Sequence, residues 1–267
     1  MSRLFLSLLA SLLLAGCFPN GEWIPTIWGG ESIDDARAPE EAGVFTTDDG
    51  CEVALTSYVV TMRGGALLTP IGTASAVLPG DQLFDLAQPG PHSMASVFLE
   101  RGGYPEVVAI TGPASADASD NDFVGRGQLI GVDNAESDTN PIRGNADATT
   151  RAEMEEAGAA ALLRGQLTCG TDTVALNVLL DDEVGLVRCP LGEFDLPGGS
   201  FAVSELVSRA EVVLSEIAAL PAADDGDGEL TMAELDDAGL GDALREAFRA
   251  SWEADGGSCT WESGQVE

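Results

Sequence analysis

The stretch CEVALTSYVVTM, residues 51–62, alternates polar with apolar residues and is rich in β-branched side chains. This pattern is typical of a β-strand with one face toward a core. Similar short runs, separated by turn residues, predict further strands at 66–71, 76–86, 93–100, 105–111, 160–169, 173–180, 185–189 and 199–203. Many short strands with turns between them predict a mainly β fold, an antiparallel β-sandwich over residues 51–207.

Two segments beside these strands lack the alternating pattern. Residues 17–50 are rich in Gly, Pro and acidic residues, so we expect a flexible tether there. Residues 112–150 are polar and rich in turn-forming residues, which predicts a long acidic loop with one strand at 123–132.

The apolar period changes from two to three or four after residue 207. Ser208 and Glu211 match a capping box, and Pro221 would end the helix that follows them. We expect Asp242 to cap a second helix. Its apolar face would carry Leu244, Ala247, Phe248 and Trp252 and pack on the sandwich. Residues 208–259 are therefore expected to form a helix–loop–helix appendage, and 260–267 a tail.

Between these helices lies ADDGDGELTMAE, residues 223–234, which resembles the calcium loop of the EF-hand. Calcium takes about six to eight oxygen ligands, the Gly at position 6 permits a sharp turn, and the Glu at position 12 binds with both oxygens. The candidate ligands are Asp224, Asp225, Asp227, Glu229 through its carbonyl, Thr231 and Glu234.

Ala223 stands where the EF-hand loop has its first aspartate, so Asp224 or a water would have to supply that ligand. The alternative is an acidic turn that keeps the EF-hand shape without an ion. A single loop of this kind suits a structural calcium clip and not a calcium sensor.

The chain begins MSRLFLSLLASLLLAGC, with Arg3 followed by an apolar run that is too short to cross a bilayer as a helix. These are the parts of an export signal, residues 1–16. The residues LLAGC, 13–17, resemble the bacterial lipobox, which implies cleavage before Cys17 and acylation of its thiol. Phe18 is not the aspartate associated with inner-membrane retention, so the resemblance implies an outer-membrane lipoprotein facing the periplasm or the cell surface. The alternative is an ordinary secretory signal.

The chain has 12 Lys and Arg against 45 Asp and Glu, a formal net charge of −33. Nucleic acid and anionic membrane surfaces are poor partners for such a chain. We expect membrane contact through the lipid anchor only, together with a protein partner in the envelope. The acidic residues indicate a strongly solvated surface or, alternatively, an acidic docking face.

Four cysteines remain besides Cys17, and an even number in an oxidising compartment predicts two disulfides. Three pairings are possible. We favour Cys169 with Cys189, because the segment between them is predicted to be two strands joined by a turn. Cys51 would then pair with Cys259.

The order of these parts is similar to a group of exported lipoproteins known mainly from myxobacteria and related predators. The markers are the lipobox, FTTDDG at 45–50, the β-rich body, the loop at 223–235 and a helix that ends near Cys259. The resemblance implies this architecture but does not indicate an activity. A more distant similarity is to the periplasmic copper proteins associated with methanobactin, and here His92 and Met94 are two candidate copper ligands.

Catalytic patterns are missing from the sequence. His92 is the single histidine, no GxSxG motif occurs, and a phosphate-binding GxxxxGK motif is impossible because the chain has no lysine. We therefore expect a non-catalytic envelope lipoprotein with a structural or interaction role. The alternative is a periplasmic or surface carrier of a metal or another ligand.

Overall fold

The computed structural model describes residues 20–30, 44–47, 50–78, 82–88, 90–114, 144–215 and 222–263. Within these residues the chain is mainly β and forms several sheets, which confirms the predicted class. The strands, in chain order, are β1 (Asn20–Trp28), β2 (Val44–Thr46), β3 (Glu52–Leu68), β4 (Ala74–Leu78), β5 (Gln82–Asp85), β6 (His92–Ser93), β7 (Val97–Glu100), β8 (Gly102–Gly103), β9 (Glu106–Thr111), β10 (Ala161–Cys169), β11 (Asp172–Leu180), β12 (Gly185–Pro190), β13 (Asp195–Leu196), β14 (Phe201–Ser208), β15 (Glu229–Thr231), β16 (Trp252–Ala254), β17 (Gly257–Ser258) and β18 (Thr260–Ser263). The helices are α1 (Ala148–Ala157), α2 (Ala210–Ser215), α3 (Met232–Asp237) and α4 (Gly241–Ala250).

Two large sheets organise the described part of the chain. The β1 sheet has the order β17-β16-β14-β1-β6, with β7 also paired to β1. The β3 sheet has the order β15-β11-β10-β3-β9-β12-β18, with β2, β4 and β5 also paired to β3. Most strand pairs are antiparallel, as predicted, but β1 runs parallel to β14 and β11 runs parallel to β15.

The first strand lies inside the segment that we expected to be a tether. That expectation is wrong for β1 and β2, because Trp23 and Ile27 of β1 are fully buried. Pro25 is tolerated in this central strand because its carbonyl accepts a hydrogen bond from the Met94 N–H. In a strand the N and the C=O of one residue point to the same side, so the missing N–H of Pro25 also faces the irregular stretch between β6 and β7. No ladder hydrogen bond is lost there.

Strand β3 is longer than the sequence suggested. Its 17 residues continue through Gly64 and Gly65, where we placed a break between two strands. The pairing of β3 with β9 shifts register between Met62 and Gly64, so the glycines form a bulge and not a turn. A Cβ on Gly65 would lie 2.9 Å from the carbonyl oxygen of Val108, so glycine is required by the close approach of β9.

The expected acidic loop at 112–150 is described only at its two ends. Residues 115–143, including the strand expected at 123–132, lie outside the described residues. At the far end the chain forms α1, a helix that we did not predict. Asp147 caps it by accepting hydrogen bonds from the N–H groups of Thr149 and Thr150, and these bonds hold the pKa of Asp147 below its ordinary value.

The end of the chain also differs from the prediction. Ser208 is the last residue of β14 and does not cap α2, because its hydroxyl is bonded to Tyr58 and Ser251 inside the protein. Residues expected to be helical or a tail instead form β16, β17 and β18. Strand β16 pairs with β14 and β18 pairs with β12, so the chain end belongs to both sheets.

One core cluster takes side chains from both large sheets, including Trp23 from β1, Tyr58 from β3 and Trp252 from β16. A chain of buried hydroxyls crosses it. The Tyr58 Oη lies 2.6 Å from Ser208 Oγ, which lies 3.1 Å from Ser251 Oγ. Because burial outweighs these hydrogen bonds, the pKa of Tyr58 is raised well above its usual value of 10.0.

We expect Tyr58→Phe to destabilise the fold by about 1 to 2 kcal/mol at neutral pH, because the buried Ser208 hydroxyl loses one of its hydrogen-bond partners. The raised pKa also has a pH consequence. Below pH 10 the phenol is neutral in both the folded and the unfolded protein, so the stability that comes from burying Tyr58 is fully present. Above pH 10 the unfolded chain releases the phenol proton first, so the free energy of unfolding falls, by up to about 1.4 kcal/mol per pH unit.

Urea unfolding between pH 8 and 11 measures both effects, and the alkaline slope should be smaller in Tyr58→Phe. Tyr104→Phe is the matched control. Its hydroxyl donates to the Glu100 carbonyl in a part-buried hydrogen bond, whereas that of Tyr58 is fully buried, so the neutral-pH loss should be smaller. If the free energy of unfolding fell equally steeply with pH in the wild type and in Tyr58→Phe, the raised pKa of Tyr58 would be contradicted.

Candidate metal centre

The EF-hand-like loop, residues 223–234, follows α2, includes β15 and continues into α3, and it is attached to the β3 sheet. Strand β15 at its end runs parallel to β11, and the Ala175 N–H donates to the Gly228 carbonyl at 2.9 Å. Leu230, the apolar residue expected at position 8 of an EF-hand loop, is fully buried in the core. The helix predicted before the loop is described only as α2, and residues 216–221 lie outside the described residues.

Four predicted ligands come together in this loop. One carboxylate oxygen each from Asp224, Asp225, Asp227 and Glu234 lies within 4.8 Å of the others. Oxygens about 2.3 to 2.6 Å from a shared cation would have separations of this order. Four converging carboxylates are therefore a plausible coordination group for a hard divalent cation.

Turns within the loop orient these aspartates. Asp224 Oδ1 accepts hydrogen bonds from the N–H groups of Gly226 and Gly228, both at 3.1 Å. The Asp227 N–H donates to Asp225 Oδ1 at 3.2 Å. Gly226 and Gly228 have φ angles of 101° and 87°, a left-handed conformation that glycine adopts without steric cost. The glycine expected at position 6 therefore serves the sharp turn for which it was nominated.

Glu234 closes the loop from the first turn of α3. Its Oε1 accepts from the Asp225 N–H at 3.0 Å, and its Oε2 accepts from the N–H and hydroxyl of Thr231 at 2.7 and 2.8 Å. These bonds hold the pKa of Glu234 below its ordinary value, with the Asp225 N–H as the largest cause. The carboxylate is thus charged at neutral pH and fixed toward the loop.

The remaining candidates have other contacts. Thr231 is the N-cap of α3 and forms a capping box with Glu234, so its hydroxyl serves the helix end. Glu229 was predicted to bind through its carbonyl, which stays a prediction; the residue lines a groove on the β3 sheet, and its carboxylate is not part of the cluster. Ala223, at position 1, packs against the core, which explains why an apolar residue stands there. The next residue, Asp224, places a carboxylate oxygen in the cluster.

Two arginines on α4 connect this helix to α3, to the residues after β11 and to β18. Arg245 donates to Asp236 of α3 and to Asp181 beyond β11, and both carboxylates raise its pKa. Arg249 donates from Nε to the buried Asp182 at 3.0 Å and lies over the Trp261 ring, with Cζ 4.1 Å from its centroid. These ion pairs were not predicted from the sequence, although two arginines four residues apart on one helix were a usable signal.

Asp242 does not cap α4 as predicted. The N-cap is Leu240, which has no side-chain cap bond, and Asp242 lies in the first helical turn with its carboxylate 3.3 Å from Arg245. The apolar face predicted for this helix is confirmed, since Leu244, Ala247 and Phe248 are buried. Trp252 is buried too, but it belongs to β16.

The prediction of two disulfides is confirmed, but the favoured pairing is wrong. Cys51 pairs with Cys169, and Cys189 pairs with Cys259. The reason is strand pairing. Strands β11 and β12, which lie between Cys169 and Cys189, pair with other strands and not with each other.

Each observed bridge lies where a ladder brings two cysteines together. Cys51 and Cys169 follow the pair Glu52 and Thr168 at the end of the β3–β10 ladder, with Cα atoms 4.4 Å apart. Cys189 on β12 and Cys259, the residue before β18, have Cα atoms 4.2 Å apart. The first separation is at the short end of the usual range for disulfides and the second lies just below it.

The two candidate copper ligands lie in different surroundings. The His92 ring is hydrogen-bonded to the Asn145 side chain and the Gln88 carbonyl, each at 3.3 Å. The Met94 side chain is buried in the core, with 1% of its surface exposed. Among the described residues, His92 belongs to no group of three or more His, Cys, Asp and Glu ligand atoms.

A shallow groove crosses the outer surface of the β3 sheet, where Thr56, Arg164 and Asn177 line it. Arg164 donates to both carboxylate oxygens of Glu153, at 2.7 and 2.8 Å, so its charge is already neutralised by α1. The groove is therefore a weak candidate for binding an anionic ligand.

Comparisons with protein-family models, with curated proteins and with solved structures found no match to this chain. Among the described residues, no helix has both the length and the apolar composition needed to span a bilayer.

Proposed function

We propose that this chain is an exported, non-catalytic lipoprotein, held in the outer membrane by acyl chains on Cys17, with a structural or interaction role. Its body is a β-sandwich with an EF-hand-like segment, and a single calcium ion in the loop at 224–234 acts as a structural clip. The observation that carries the calcium assignment is the convergence of the Asp224, Asp225, Asp227 and Glu234 carboxylates.

Calcium fits this loop better than a softer metal does. The cluster offers carboxylate oxygens, which hard cations prefer, and it contains no histidine or cysteine. An ion would also reduce the mutual repulsion of the four carboxylates, which lie within residues 224–234. Strand β15 of the loop pairs with β11 of the β3 sheet, and α3, which follows the loop, contacts α4. A bound ion would therefore hold α3 and α4 in place against the β3 sheet.

Export is supported by the cysteines. Two disulfides join strands that are distant in sequence, by 118 and 70 residues, and such bridges persist in oxidising compartments. The LLAGC motif that ends in Cys17 supports acylation at that residue. Mass analysis of the N-terminal peptide from the membrane-extracted protein tests this part of the proposal, and an unacylated peptide that retains Met1 would contradict it.

Calcium should stabilise the protein by about 2.7 kcal/mol when its concentration is 100 times the dissociation constant. Thermal melts of the wild type with calcium and with chelator measure this shift. In the double variant Asp225→Asn with Asp227→Asn the shift should largely disappear. Asparagine keeps the oxygen that accepts the hydrogen bonds from Asp227 and Glu229, so the turns remain while two charges are lost.

The matched control is Asp237→Asn, because Asp237 is exposed on α3 and lies outside the cluster. Its calcium shift should equal that of the wild type. Identical melting with calcium and chelator would overturn the calcium site and leave an acidic turn closed by a helix cap. A transition metal retained through purification would instead favour the metal carrier as the function.

A further inference from the structure

The outward face of the β1 sheet is apolar at one end. Phe98, Phe201 and Val203 are exposed to 54%, 61% and 40% of their surface. Glu22 of β1 pairs with Phe98 on one side and with Phe201 on the other, so these residues form one row across three strands. Ile24 pairs with Val203 in the next outward row.

The opposite face of the same strands is buried. Trp23, Leu99 and Leu206 alternate with the outward residues, and each is at most 6% exposed. The outward positions of a sheet that faces water are normally polar. Here two phenylalanines and a valine occupy such positions, and the phenylalanines lie roughly 10 Å apart, two strand spacings. This composition indicates a surface that contacts something other than water.

The position of Cys17 indicates what this surface contacts. Strand β1 begins at Asn20, three residues after Cys17, and Asn20 pairs with Glu100 two residues from Phe98. Three residues span at most about 11 Å when fully extended. Acyl chains on Cys17 would therefore enter the bilayer close to the apolar row, and they would bring this end of the β1 sheet to the lipid surface.

We propose that the apolar end of the β1 sheet, made of Ile24, Phe98, Phe201 and Val203, rests in the interface of a zwitterionic lipid bilayer. This inference rests on the proposed acylation of Cys17. The phenylalanine rings lie at the level of the headgroups and the first acyl carbons, and the folded body lies directly on the membrane without a long tether.

The charges around this surface favour zwitterionic lipid over other occupants. Glu22 lies within the apolar row, Glu205 lies on the same face of β14, and Glu100 lies beside Phe98. Anionic lipid would repel these carboxylates, and a second copy packed about a twofold axis would bring the same carboxylates toward each other. Burial, together with Asp255, raises the pKa of Glu205, which lowers the cost of placing it near lipid.

The test uses the full acylated protein reconstituted in phosphatidylcholine vesicles that contain spin-labelled lipids. A Phe98→Trp variant reports the depth of that position through quenching of its added indole fluorescence, with the wild-type signal subtracted. We expect quenching several times stronger than in Val44→Trp. Val44 is an exposed apolar residue on β2, which belongs to the β3 sheet and not to the β1 sheet that carries Phe98.

Adding Phe201→Ser and Val203→Ser to the Phe98→Trp variant should lower this quenching toward the control value. Flotation with the vesicles and acylated Cys17, but quenching equal to that of Val44→Trp, would overturn the docking surface and leave the anchor intact. No flotation and an unmodified Cys17 would overturn both. Protection from a water-soluble quencher without lipid quenching, together with cross-linked dimers, would assign the face to a second copy and overturn membrane contact.

Discussion

Removal of the bridge between Cys51 and Cys169 should lower the free energy of unfolding by about 4 to 5 kcal/mol. The two cysteines are separated by 118 residues, and a crosslink that closes a loop of this length removes much of the entropy of the unfolded chain. Domains are typically stable by only about 5 to 15 kcal/mol, so the loss is a large fraction of the total. The double variant Cys51→Ala with Cys169→Ala, unfolded in urea, measures it.

The same variant checks the pairing. With the observed bridges, Cys189 and Cys259 remain joined, so the denatured double variant should show no free thiol at either position. The mixed variant Cys51→Ala with Cys189→Ala is the control, because it breaks both bridges and should show two free thiols and a larger loss of stability. A variant with only the first bridge removed that unfolds at the wild-type urea concentration would contradict the predicted contribution.

Trp252→Ala should have a comparable effect, a loss of about 3 to 5 kcal/mol. Trp252 is completely buried, contacts Phe248 edge to face at 6.0 Å between ring centroids, and begins the strand that pairs with β14. Truncation would leave a cavity where the β1 sheet meets α4, and the surrounding side chains would relax only partly. The free energy of unfolding in urea, measured with the disulfides intact, gives the loss.

Two controls separate cavity formation from the loss of any tryptophan. Trp252→Phe keeps most of the ring volume and removes a buried indole N–H that has no partner among the described residues, so it should cost much less than alanine. Trp261→Ala removes a partly exposed ring that lies under Arg249, and its cost should also be smaller. Equal losses in Trp252→Ala and Trp261→Ala would contradict the core role.

The longer strands of the β3 sheet could be predicted because each carries its own alternating pattern, whereas β2, β15 and β18 were not predicted. β10 and β11, for example, are bounded by turn residues and occur close to their expected positions. Strand β1 was missed because Pro25 and the neighbouring glycines locally favour irregular chain, and its contact with β14 overrides that preference. The same limit applied to the disulfides, since pairing between strands far apart in sequence leaves no local pattern.

The candidate metal centre was more accessible to prediction, because its ligands lie within one short segment. The spacing of Asp225, Asp227 and Glu234 was enough to nominate them. The roles of Thr231 in capping α3 and of Ala223 in the core depend on α3 and the β3 sheet, which the spacing does not show. The apolar end of the β1 sheet could not be nominated until β1 itself was known to be a strand.

The parallel pairing of β1 with β14 has a consequence for biogenesis. Trp23 donates its indole N–H to Ser204, 181 residues later in the chain. A polypeptide is synthesised from its N-terminus, so β1 is made long before β14, the strand with which it pairs. The β1 sheet can therefore be completed only when most of the chain has been made, and such contacts between residues far apart in sequence are typical of slow folding.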